Sequence, residues 1–304
     1  MSSRTAALAA LLALAFAASV RAELPRFGNS KLLLTGGVSS IDGAAGGGLT
    51  PWALIASYAA QGEIGATAFA TRVNTQDYTL TAYGVAVGVH DRVEFSLAHQ
   101  DLDAGDNLAQ FGLAGLHLKQ DIVGAKLRVA GEAVLDSDSW MPQISIGVLH
   151  KRARPGEFGP VLTGPLGAKE RGTEVYLSAT KLFLAPGILV NGTLRATRAN
   201  QNGLLGFGGA QADPTRLHPE LSVAWLPRKD LAIGAEVRAK PDNLDDSVFG
   251  PGALKEDDWF DVFVAWAPNK HISLTLAYVD LGHIAPAVQP RRQTGTYLSV
   301  QLAF

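Results

Sequence analysis

The chain has 304 residues, no cysteine and a formal net charge of −2 at pH 7. The lack of cysteine excludes disulfide bonds, thiolate metal sites and cysteine nucleophiles, and the near-neutral charge argues against a broad basic surface for nucleic acid. Apolar residues make up 47% of the sequence, but after its first residues there is no continuous apolar run of membrane-helix length. A β-barrel in a membrane accounts for this mixture, because only alternate residues of its strands face lipid.

The first residues have the composition of an export signal. Arg4 precedes an apolar stretch over residues 6–20, and the sequence Val-Arg-Ala at 20–22 has the small-x-small form of a signal peptidase site. The apolar stretch is short for a membrane-spanning helix. We therefore predict a signal peptide over residues 1–22, a single barrel domain over residues 23–304, and export to the bacterial outer membrane.

Polar and apolar residues then alternate along much of the chain. In YLSVQLAF, residues 297–304, leucine, valine and phenylalanine occupy one face, and tyrosine, serine, glutamine and alanine the other. A period of two is the geometry of a β-strand. We predict about 14 strands, near residues 31–40, 51–60, 63–73, 78–89, 92–102, 121–135, 140–151, 171–184, 188–199, 216–226, 231–240, 257–267, 271–281 and 295–304. In the alternative, residues 31–50 form an N-terminal plug inside the lumen, and the strand number falls to about 12.

A soluble β-sandwich would show the same alternation, but two further features favour a barrel in lipid. The strands are long enough to cross a membrane at a tilt. Short turns near residues 62–63, 90–91, 136–139, 185–187, 227–230 and 267–270 also alternate with longer polar loops near 102–119, 152–170, 199–215, 241–256 and 282–293. Such asymmetry is typical of outer-membrane barrels. The sequence therefore predicts an all-β, transmembrane, antiparallel up-and-down β-barrel.

Aromatic residues mark one border of the predicted barrel. Four of them end a strand on the side of the short turns with the parity of the apolar face: Phe183, Trp225, Trp266 and Phe304. We interpret them as an aromatic girdle at the membrane interface. A terminal aromatic residue on an alternating strand also resembles the recognition signal of the bacterial outer-membrane assembly machinery. That machinery and outer-membrane lipid are therefore the expected partners, with small solutes as a further candidate and no nucleic acid.

Four stretches carry a family resemblance. They are KLLLTGGVSSIDGAAGGGLTPWALI at 31–55, QDIVGAKLRVAGEAVLD at 120–136, SATKLFLAPGILVNGTLRATRANQNGLLGFGG at 178–209 and DVFVAWAPNKHISLTLAYVDLG at 261–282. Together they resemble a bacterial family known as domain-of-unknown-function family 3034. The resemblance spans nearly all of the predicted mature chain. It implies a proteobacterial cell-envelope protein, and it brings no activity and no catalytic residues.

Charged residues also fall on the strand face opposite the apolar one. In lipid, such residues are expected to face the lumen. The predicted lumen-facing set comprises Arg92, Glu94, Lys126, Arg128, Glu132, Glu174, Arg195, Glu236, Arg238, Lys240 and Asp261. A lumen of mixed charge has two interpretations, which the sequence leaves open: a narrow aqueous pore tuned by charge, or a lumen closed by internal ion pairs.

No stretch has the pattern of a nucleotide or metal site. The glycine-rich residues 36–48 lack the Lys-Ser/Thr ending and the helix of a phosphate loop, so we interpret them as a flexible connection or a tight bend. The histidines are scattered, without the spacing of metal ligands. Residues 136–139 lack the glycine and distal glutamate of a calcium loop, and the acidic stretch 241–258 is interpreted as a solvated outer loop. We therefore predict no cofactor and no metal.

His271 and Ser273 have the His-x-Ser spacing that outer-membrane lipid hydrolases use on a barrel strand, and Asn269 lies nearby. Ile272 and Leu274 occupy the apolar face of this strand, which directs His271 and Ser273 toward the lumen and away from a lipid substrate. We therefore predict no catalytic residues and no enzyme.

The predicted function is a passive channel for small solutes with a mixed-charge lumen. A non-conducting barrel that interacts through its outer loops is the second interpretation, and a lipid hydrolase is the third. They stay open because barrel architecture alone does not establish transport.

Overall fold

Within residues 26–135 and 139–304, which the computed structural model describes, twelve antiparallel strands form one closed barrel. The strands of the chain are β1 (Arg26–Phe27), β2 (Val38–Ser39), β3 (Ala45–Gly46), β4 (Glu63–Thr75), β5 (Thr79–Val89), β6 (Val93–Asp103), β7 (His117–Ala130), β8 (Gln143–Arg154), β9 (Arg171–Phe183), β10 (Ile188–Thr197), β11 (Arg216–Arg228), β12 (Leu231–Arg238), β13 (Asp246–Ser247), β14 (Gly250–Pro251), β15 (Trp259–Asn269), β16 (Ile272–Asp280) and β17 (Thr294–Ala303). The barrel consists of β4 to β12 and β15 to β17, each paired with its neighbour along the chain, and it closes where β17 pairs with β4. The predicted antiparallel barrel is confirmed, while the predicted signal peptide, residues 1–22, lies outside the described residues.

The described residues before β4 lead from the edge of the barrel into its inside. β1 pairs in parallel with the start of β4, and residues 28–62, here called the inner segment, then fold within the lumen. Every residue from 34 to 59 is buried, and β2 and β3 form a small hairpin there. The alternative of about 12 strands with an N-terminal plug is therefore confirmed. The count of about 14, with wall strands at 31–40 and 51–60, is wrong.

The inner segment differs from a wall strand because its residues 34–59 are buried on all sides. A wall strand exposes every second side chain, whereas this segment is rich in glycine, alanine and serine and passes close to itself. At Gly46, an added Cβ would lie 2.1 Å from the carbonyl oxygen of Thr50, so the bend there requires glycine. The prediction of a tight bend within 36–48 matches this geometry.

The outward face of the barrel is a belt of exposed apolar side chains. The belt includes Leu97, Val123, Ile146, Val175, Val223, Val262, Leu276 and Leu298. The inward residues of the same strands are buried against the inner segment. The alternation therefore separates an apolar outer surface, suited to contact lipid, from a filled interior. The described residues contain no helix that is long and apolar enough to cross a membrane.

The two ends of the barrel differ in their connections. At one end, here called the turn end, the connections are mostly short and comprise residues 90–92, 131–142, 184–187, 229–230 and 270–271. At the other, here called the loop end, they comprise residues 76–78, 104–116, 155–170, 198–215, 239–258 and 281–293, with a short helix, α1 (Gly159–Thr163), and the β13–β14 hairpin. The turn predicted at 136–139 belongs to the longer connection 131–142, of which residues 136–138 lie outside the described part.

Candidate functional site

The inner segment contacts two kinds of wall inside the barrel. We call β6 to β12 the bonded wall, because their side chains bind the backbone of the inner segment. We call β15, β16, β17 and β4 the unbonded wall, because few such bonds are made there. The interface between the inner segment and these walls is the candidate functional site, since it determines whether anything can pass through the lumen.

On the bonded wall, Glu94 of β6 and Lys126 of β7 form a buried ion pair, with Nζ and Oε2 3.1 Å apart. The Glu94 carboxylate accepts hydrogen bonds from the backbone N–H groups of Ala45, at 3.1 Å, and Ala56, at 2.8 Å. Lys126 Nζ donates to the carbonyl oxygens of Ala45 and Leu54, both at 2.8 Å. The pair therefore satisfies buried backbone groups that have left the water.

Uncharged side chains of the bonded wall hold the next part of the inner segment. The carbonyl oxygen of Pro51 accepts a hydrogen bond from Thr193 Oγ1 at 2.8 Å. The carbonyl oxygen of Ala53 accepts two, from Gln143 Nε2 and Ser145 Oγ, both at 2.6 Å. These bonds fix the height of the inner segment within the barrel.

Glu236 on β12 binds the inner segment without forming an ion pair in the described part of the chain. Its carboxylate accepts hydrogen bonds from the Leu49 N–H, at 2.7 Å, and from Thr50 Oγ1, at 2.6 Å. Ser222 Oγ donates a third, at 2.7 Å. Gly47 passes so close that an added Cβ would lie 2.0 Å from Glu236 Oε1. The backbone of the inner segment is therefore pressed against this carboxylate.

Asp42 of the inner segment lies in a buried ion cluster. Its carboxylate contacts three cationic side chains of the bonded wall: Lys151 at 3.0 Å, Arg195 at 3.3 Å and Arg238 at 3.1 Å. Two wall carboxylates, Glu174 and Glu220, complete the cluster. All six groups are buried. Since the charges balance within the cluster, removing any one of them would leave an uncompensated buried charge.

A loop-end connection reaches the same cluster. Its residues Asn200–Gly203 are buried, and Gln201 and Asn202 have left-handed backbone conformations, with φ of 43° and 61°. Asn202 Nδ2 donates to Asp42 at 2.9 Å, and Asn202 Oδ1 accepts from Lys151 at 2.7 Å. Strained residues of this kind persist where the surrounding contacts over-determine them. The inner segment and this loop therefore meet inside the barrel.

The unbonded wall carries buried polar atoms without hydrogen-bond partners. Among the described residues of this wall, they are Trp259 Nε1, both carboxylate oxygens of Asp261, Tyr297 Oη, Ser273 Oγ and Thr67 Oγ1. Strand register places Trp259 toward the loop end and Thr67 toward the turn end. For residues 34–59, the described structure has one hydrogen bond to this wall, from Ser39 Oγ to Gln301 at 2.7 Å. The unpaired atoms thus extend along the wall from one end toward the other.

A second group of charges ties the inner segment to the turn end. Lys31 Nζ lies 2.6 Å from Asp91 Oδ1, and Arg128 lies 2.5 Å from Asp91 Oδ2. Arg128 also contacts Glu132 at 2.7 Å. Because this group holds the start of the inner segment, it anchors the plug where the chain enters the lumen.

Most of the predicted lumen-facing charges lie inside the barrel. They are Glu94, Lys126, Glu174, Arg195, Glu236, Arg238, Lys240 and Asp261. They are buried against the inner segment, the loop Asn200–Gly203 and one another. Arg128 and Glu132 lie half-buried at the turn end. The assignment of Arg92 to the lumen is wrong, because this residue is exposed in the turn 90–92, where the strand alternation is interrupted.

The sequence prediction did not include four members of the ion cluster and its loop. Lys151 and Glu220 share the inward parity of β8 and β11, so the alternation itself was a signal that could have found them. No local pattern marks Asp42 or Asn202, because their burial depends on where two irregular segments meet.

His271 and Ser273 do not form a catalytic pair. His271 is exposed in the turn before β16, and its Nδ1 contacts the carbonyl oxygen of Ala303 at 3.2 Å. Ser273 is buried, and its Oγ has no hydrogen-bond partner. Asn269 accepts a hydrogen bond from the His271 N–H at 2.8 Å, so it caps the turn rather than orienting a base. The geometry gives no hydrolase site here.

The acidic loop 239–258 is less solvated than its composition indicates. Glu256 is buried, contacts Lys240 at 2.7 Å and accepts a hydrogen bond from the Gln201 N–H at 2.8 Å. Burial raises the pKa of the Glu256 carboxyl, although Lys240 acts in the opposite direction. Among the described residues, no group of three or more histidine and carboxylate side chains is arranged to hold a metal ion.

The four aromatic residues of the predicted girdle lie near the turn end. Trp225, Trp266 and Phe304 are exposed on the outward face. Phe183 is half-buried, with its ring centroid 5.7 Å from that of Trp140. Their role at a membrane interface stays a prediction.

Comparison with known proteins gives a family. The family model described as "protein of unknown function (DUF3034)" matches residues 35–301. No curated protein matches the sequence. Among solved structures, the KdgM porin in complex with disordered oligogalacturonate is 11% identical, with a TM-score of 0.48 over 78% of this chain and 99% of that one. The NanC porin is 8% identical, with a TM-score of 0.49 over 78% and 98%. Outer membrane phospholipase A from Escherichia coli is 8% identical, with a TM-score of 0.41 over 78% and 92%.

Proposed function

The chain belongs to the DUF3034 family of proteins of unknown function, and from that premise we propose that it forms a narrow outer-membrane channel for small solutes. The conducting path lies between the inner segment and the unbonded wall. The apolar belt on the outward face supports the membrane location. The inner segment stays in place during conduction and narrows the lumen.

The row of unpaired polar atoms on the unbonded wall carries this proposal. A buried polar atom without a partner costs about 1–3 kcal/mol, and native proteins satisfy such atoms with protein groups or water. Here the unpaired atoms run from Trp259 near the loop end, past Asp261 and Tyr297, to Ser273 and Thr67 near the turn end. Water in contact with this row would satisfy these atoms and form a continuous hydrated path across the barrel.

The bonded wall supports a different role for the mixed charges of the lumen. Glu94, Lys126 and the charges around Asp42 are paired and buried, so they are placed to hold the inner segment rather than to select passing ions. Their hydrogen bonds to the inner segment keep it against one side of the barrel. The path along the other side then remains narrow, which limits it to small solutes.

The complete burial of residues 34–59 favours a second candidate, a barrel that does not conduct. In that case the inner segment and the loop Asn200–Gly203 fill the lumen permanently, and the loop end is the working surface. The two candidates differ in one measurable property, because a permanently filled lumen gives no ion current.

The test measures conductance in planar bilayers for variants with one introduced cysteine. Because the chain has no cysteine of its own, a thiol reagent modifies only the introduced residue. Ser273→Cys places a thiol on the proposed path, and Ser178→Cys places one on the bonded wall, where Ser178 Oγ contacts Thr193 at 2.7 Å. Both serines are inward and buried. We expect discrete conductance steps for the unmodified protein and for both variants. A small cationic thiol reagent should reduce these steps for Ser273→Cys alone.

A silent bilayer with a correctly folded barrel would reject the channel and favour the filled lumen. Two other results would reject the path along the unbonded wall. One is that the thiol reagent blocks the conductance of Ser178→Cys. The other is that it leaves the conductance of Ser273→Cys unchanged after modification has been confirmed.

A further inference from the structure

We propose that Asp261 and Tyr297, next to the hydrogen-bonded carboxylate of Glu236, bind a monovalent alkali cation where Gly48 of the inner segment passes the wall. The site lies on the proposed path, but it does not depend on conduction. A closed barrel would hold the same cation.

The first argument is the charge balance of the barrel interior. Most of its buried carboxylates have a lysine or arginine partner within 4.0 Å: Asp42, Glu94, Glu174, Glu220 and Glu256. Glu236 and Asp261 form no ion pair in the described part of the chain, and they lie directly opposite each other on β12 and β15. Two neighbouring buried carboxylates without a counter-charge are strongly unfavourable.

The second argument is the difference between these two carboxylates. Hydrogen bonds from Leu49, Thr50 and Ser222 stabilise the charge of Glu236. Asp261 is 0% exposed, and its oxygens accept no hydrogen bond of normal length, since the backbone N–H of Glu236 is only a weak donor to them. An ionised carboxylate in this position needs a positive charge next to it, and the protein provides none there.

The third argument is the convergence of free oxygens on one point of the inner segment. A Cβ added at Gly48 would lie 3.3 Å from Tyr297 Oη and 3.5 Å from Asp261 Oδ2. Tyr297 is also fully buried, and its hydroxyl makes no hydrogen bond of normal length, although Thr71 and Ser299 lie near it. The oxygens of Asp261 and Tyr297 therefore converge on a stretch of backbone that carries no side chain, where one small ion could contact both.

The free ligands fit a monovalent ion better than a divalent one. Ca²⁺ takes six to eight oxygen ligands, and Mg²⁺ demands near-ideal octahedral geometry. The oxygens of Glu236 are already occupied by hydrogen-bond donors, so the free protein ligands are one carboxylate and one hydroxyl. A single carboxylate offers one negative charge, which a sodium or potassium ion balances.

The test measures the melting temperature of the folded full-length barrel in detergent, in NaCl, KCl or choline chloride at equal ionic strength. A ligand that binds only the folded state raises the melting temperature with the logarithm of its concentration. We expect this rise in sodium or potassium over choline for the unmodified protein, and no rise for Asp261→Asn. Tyr297→Phe should weaken the apparent affinity about tenfold, equivalent to 1.4 kcal/mol. Asp246→Asn, an exposed carboxylate of the β13 strand, is the matched control and should keep the full effect.

Three results would overturn the assignment. Equal melting temperatures in all three salts, with a higher value for Asp261→Asn, would mean that Asp261 holds a proton instead. In an added series with calcium chloride, a rise in melting temperature at lower concentration than in sodium chloride would mean a divalent site. A cation effect that survives both Asp261→Asn and Tyr297→Phe would place the ion elsewhere. Since these readouts need no ion current, a silent bilayer with a cation-dependent melting temperature would reject the channel and keep the site.

Discussion

The bonded and unbonded walls belong to one barrel and face one inner segment, but they differ in how many hydrogen bonds they form with it. On β6 to β12, charged and polar side chains bind the inner segment at many points, for example at Ala45 and Ala53. On β15 to β17 and β4, polar atoms such as those of Asp261 and Ser273 are buried without partners. A polar group that is buried and paired contributes to a defined structure, whereas a buried group that no protein atom satisfies is normally satisfied by water or a ligand.

The comparison separates two roles that a sequence cannot distinguish. Lys126 and Asp261 both have inward parity and both carry charge. Lys126 is used to position the inner segment, while Asp261 remains available to something that enters the barrel. Substitutions made in matched pairs, one on each wall, therefore test the difference directly.

The largest expected effect comes from the same substitution at the two buried aspartates. Asp42→Asn leaves Lys151, Arg195 and Arg238 with two carboxylates, so we expect a loss of about 3–5 kcal/mol in the free energy of unfolding. Asp261→Asn in choline chloride removes an unpaired charge and should be neutral or stabilising. Denaturant unfolding of the detergent-solubilised barrel measures both values. Equal losses at the two positions would contradict the distinction between the walls.

The next effect concerns two adjacent glycines of the inner segment. Gly47→Ala would place a Cβ 2.0 Å from Glu236 Oε1, whereas the nearest atom to a Cβ at Gly48 is 3.2 Å away, on the Tyr297 ring. We expect Gly47→Ala to cost about 1–3 kcal/mol, because it forces the inner segment off the bonded wall. Gly48→Ala should cost less and should weaken the cation effect on the melting temperature. Unfolding in denaturant and the salt series together check this. A greater loss in the free energy of unfolding for Gly48→Ala than for Gly47→Ala would contradict the close contact between Gly47 and Glu236.

The barrel itself was readable from the sequence because a strand repeats its pattern every two residues. The alternation located the wall strands from β4 to β17 and gave the inward parity of Glu94, Lys126 and Asp261. It could not decide the strand number, since residues 31–60 are apolar enough for strands, whereas residues 34–59 are in fact buried on all sides. That choice depends on the width of the lumen, which is a property of the closed barrel.

The candidate site was less predictable, because it is made of contacts between parts far apart in the chain. Asp42 meets Lys151 and Asn202 only when the inner segment enters from one end and the loop Asn200–Gly203 from the other. Parity shows that Asp261 faces inward, but it does not show that the inner segment leaves its oxygens unpaired. Such an absence of partners appears only once every neighbour is placed.

A smaller effect is expected at the loop end of the unbonded wall. Arg291 and Gln293 donate hydrogen bonds to Asp77, both at 2.6 Å, and join the connection 76–78 to the loop 281–293. The bonds from Arg291 hold the pKa of the Asp77 carboxyl below its usual value. Because the folded-state pKa is lowered, this stabilisation is present above the unfolded pKa of about 3.9 and is lost as the pH falls.

Acidification should therefore weaken the contact of Asp77 with Arg291 and Gln293. The loss of this contact should not affect the ion cluster around Asp42 on the bonded wall. We expect the melting temperature of the unmodified barrel to fall slightly more between pH 5 and pH 3 than that of Asp77→Asn. Arg291→Gln should resemble Asp77→Asn, and the double variant should show no further change. Additive effects of the two substitutions would mean that the residues act separately.

The last prediction is that linking the inner segment to the bonded wall leaves the ion current unchanged. It tests whether the proposed channel conducts with the inner segment in place. Thr50 Oγ1 and Ser222 Oγ lie 2.6 Å apart, so Thr50→Cys with Ser222→Cys can form a disulfide between the inner segment and the bonded wall. Ser178→Cys with Thr193→Cys, on paired residues of β9 and β10, provides a control disulfide within the wall. If solutes pass along the unbonded wall, both oxidised variants should conduct like the unmodified barrel. A current that stops in the first variant alone and returns on reduction would mean that the inner segment must leave the bonded wall before the barrel opens.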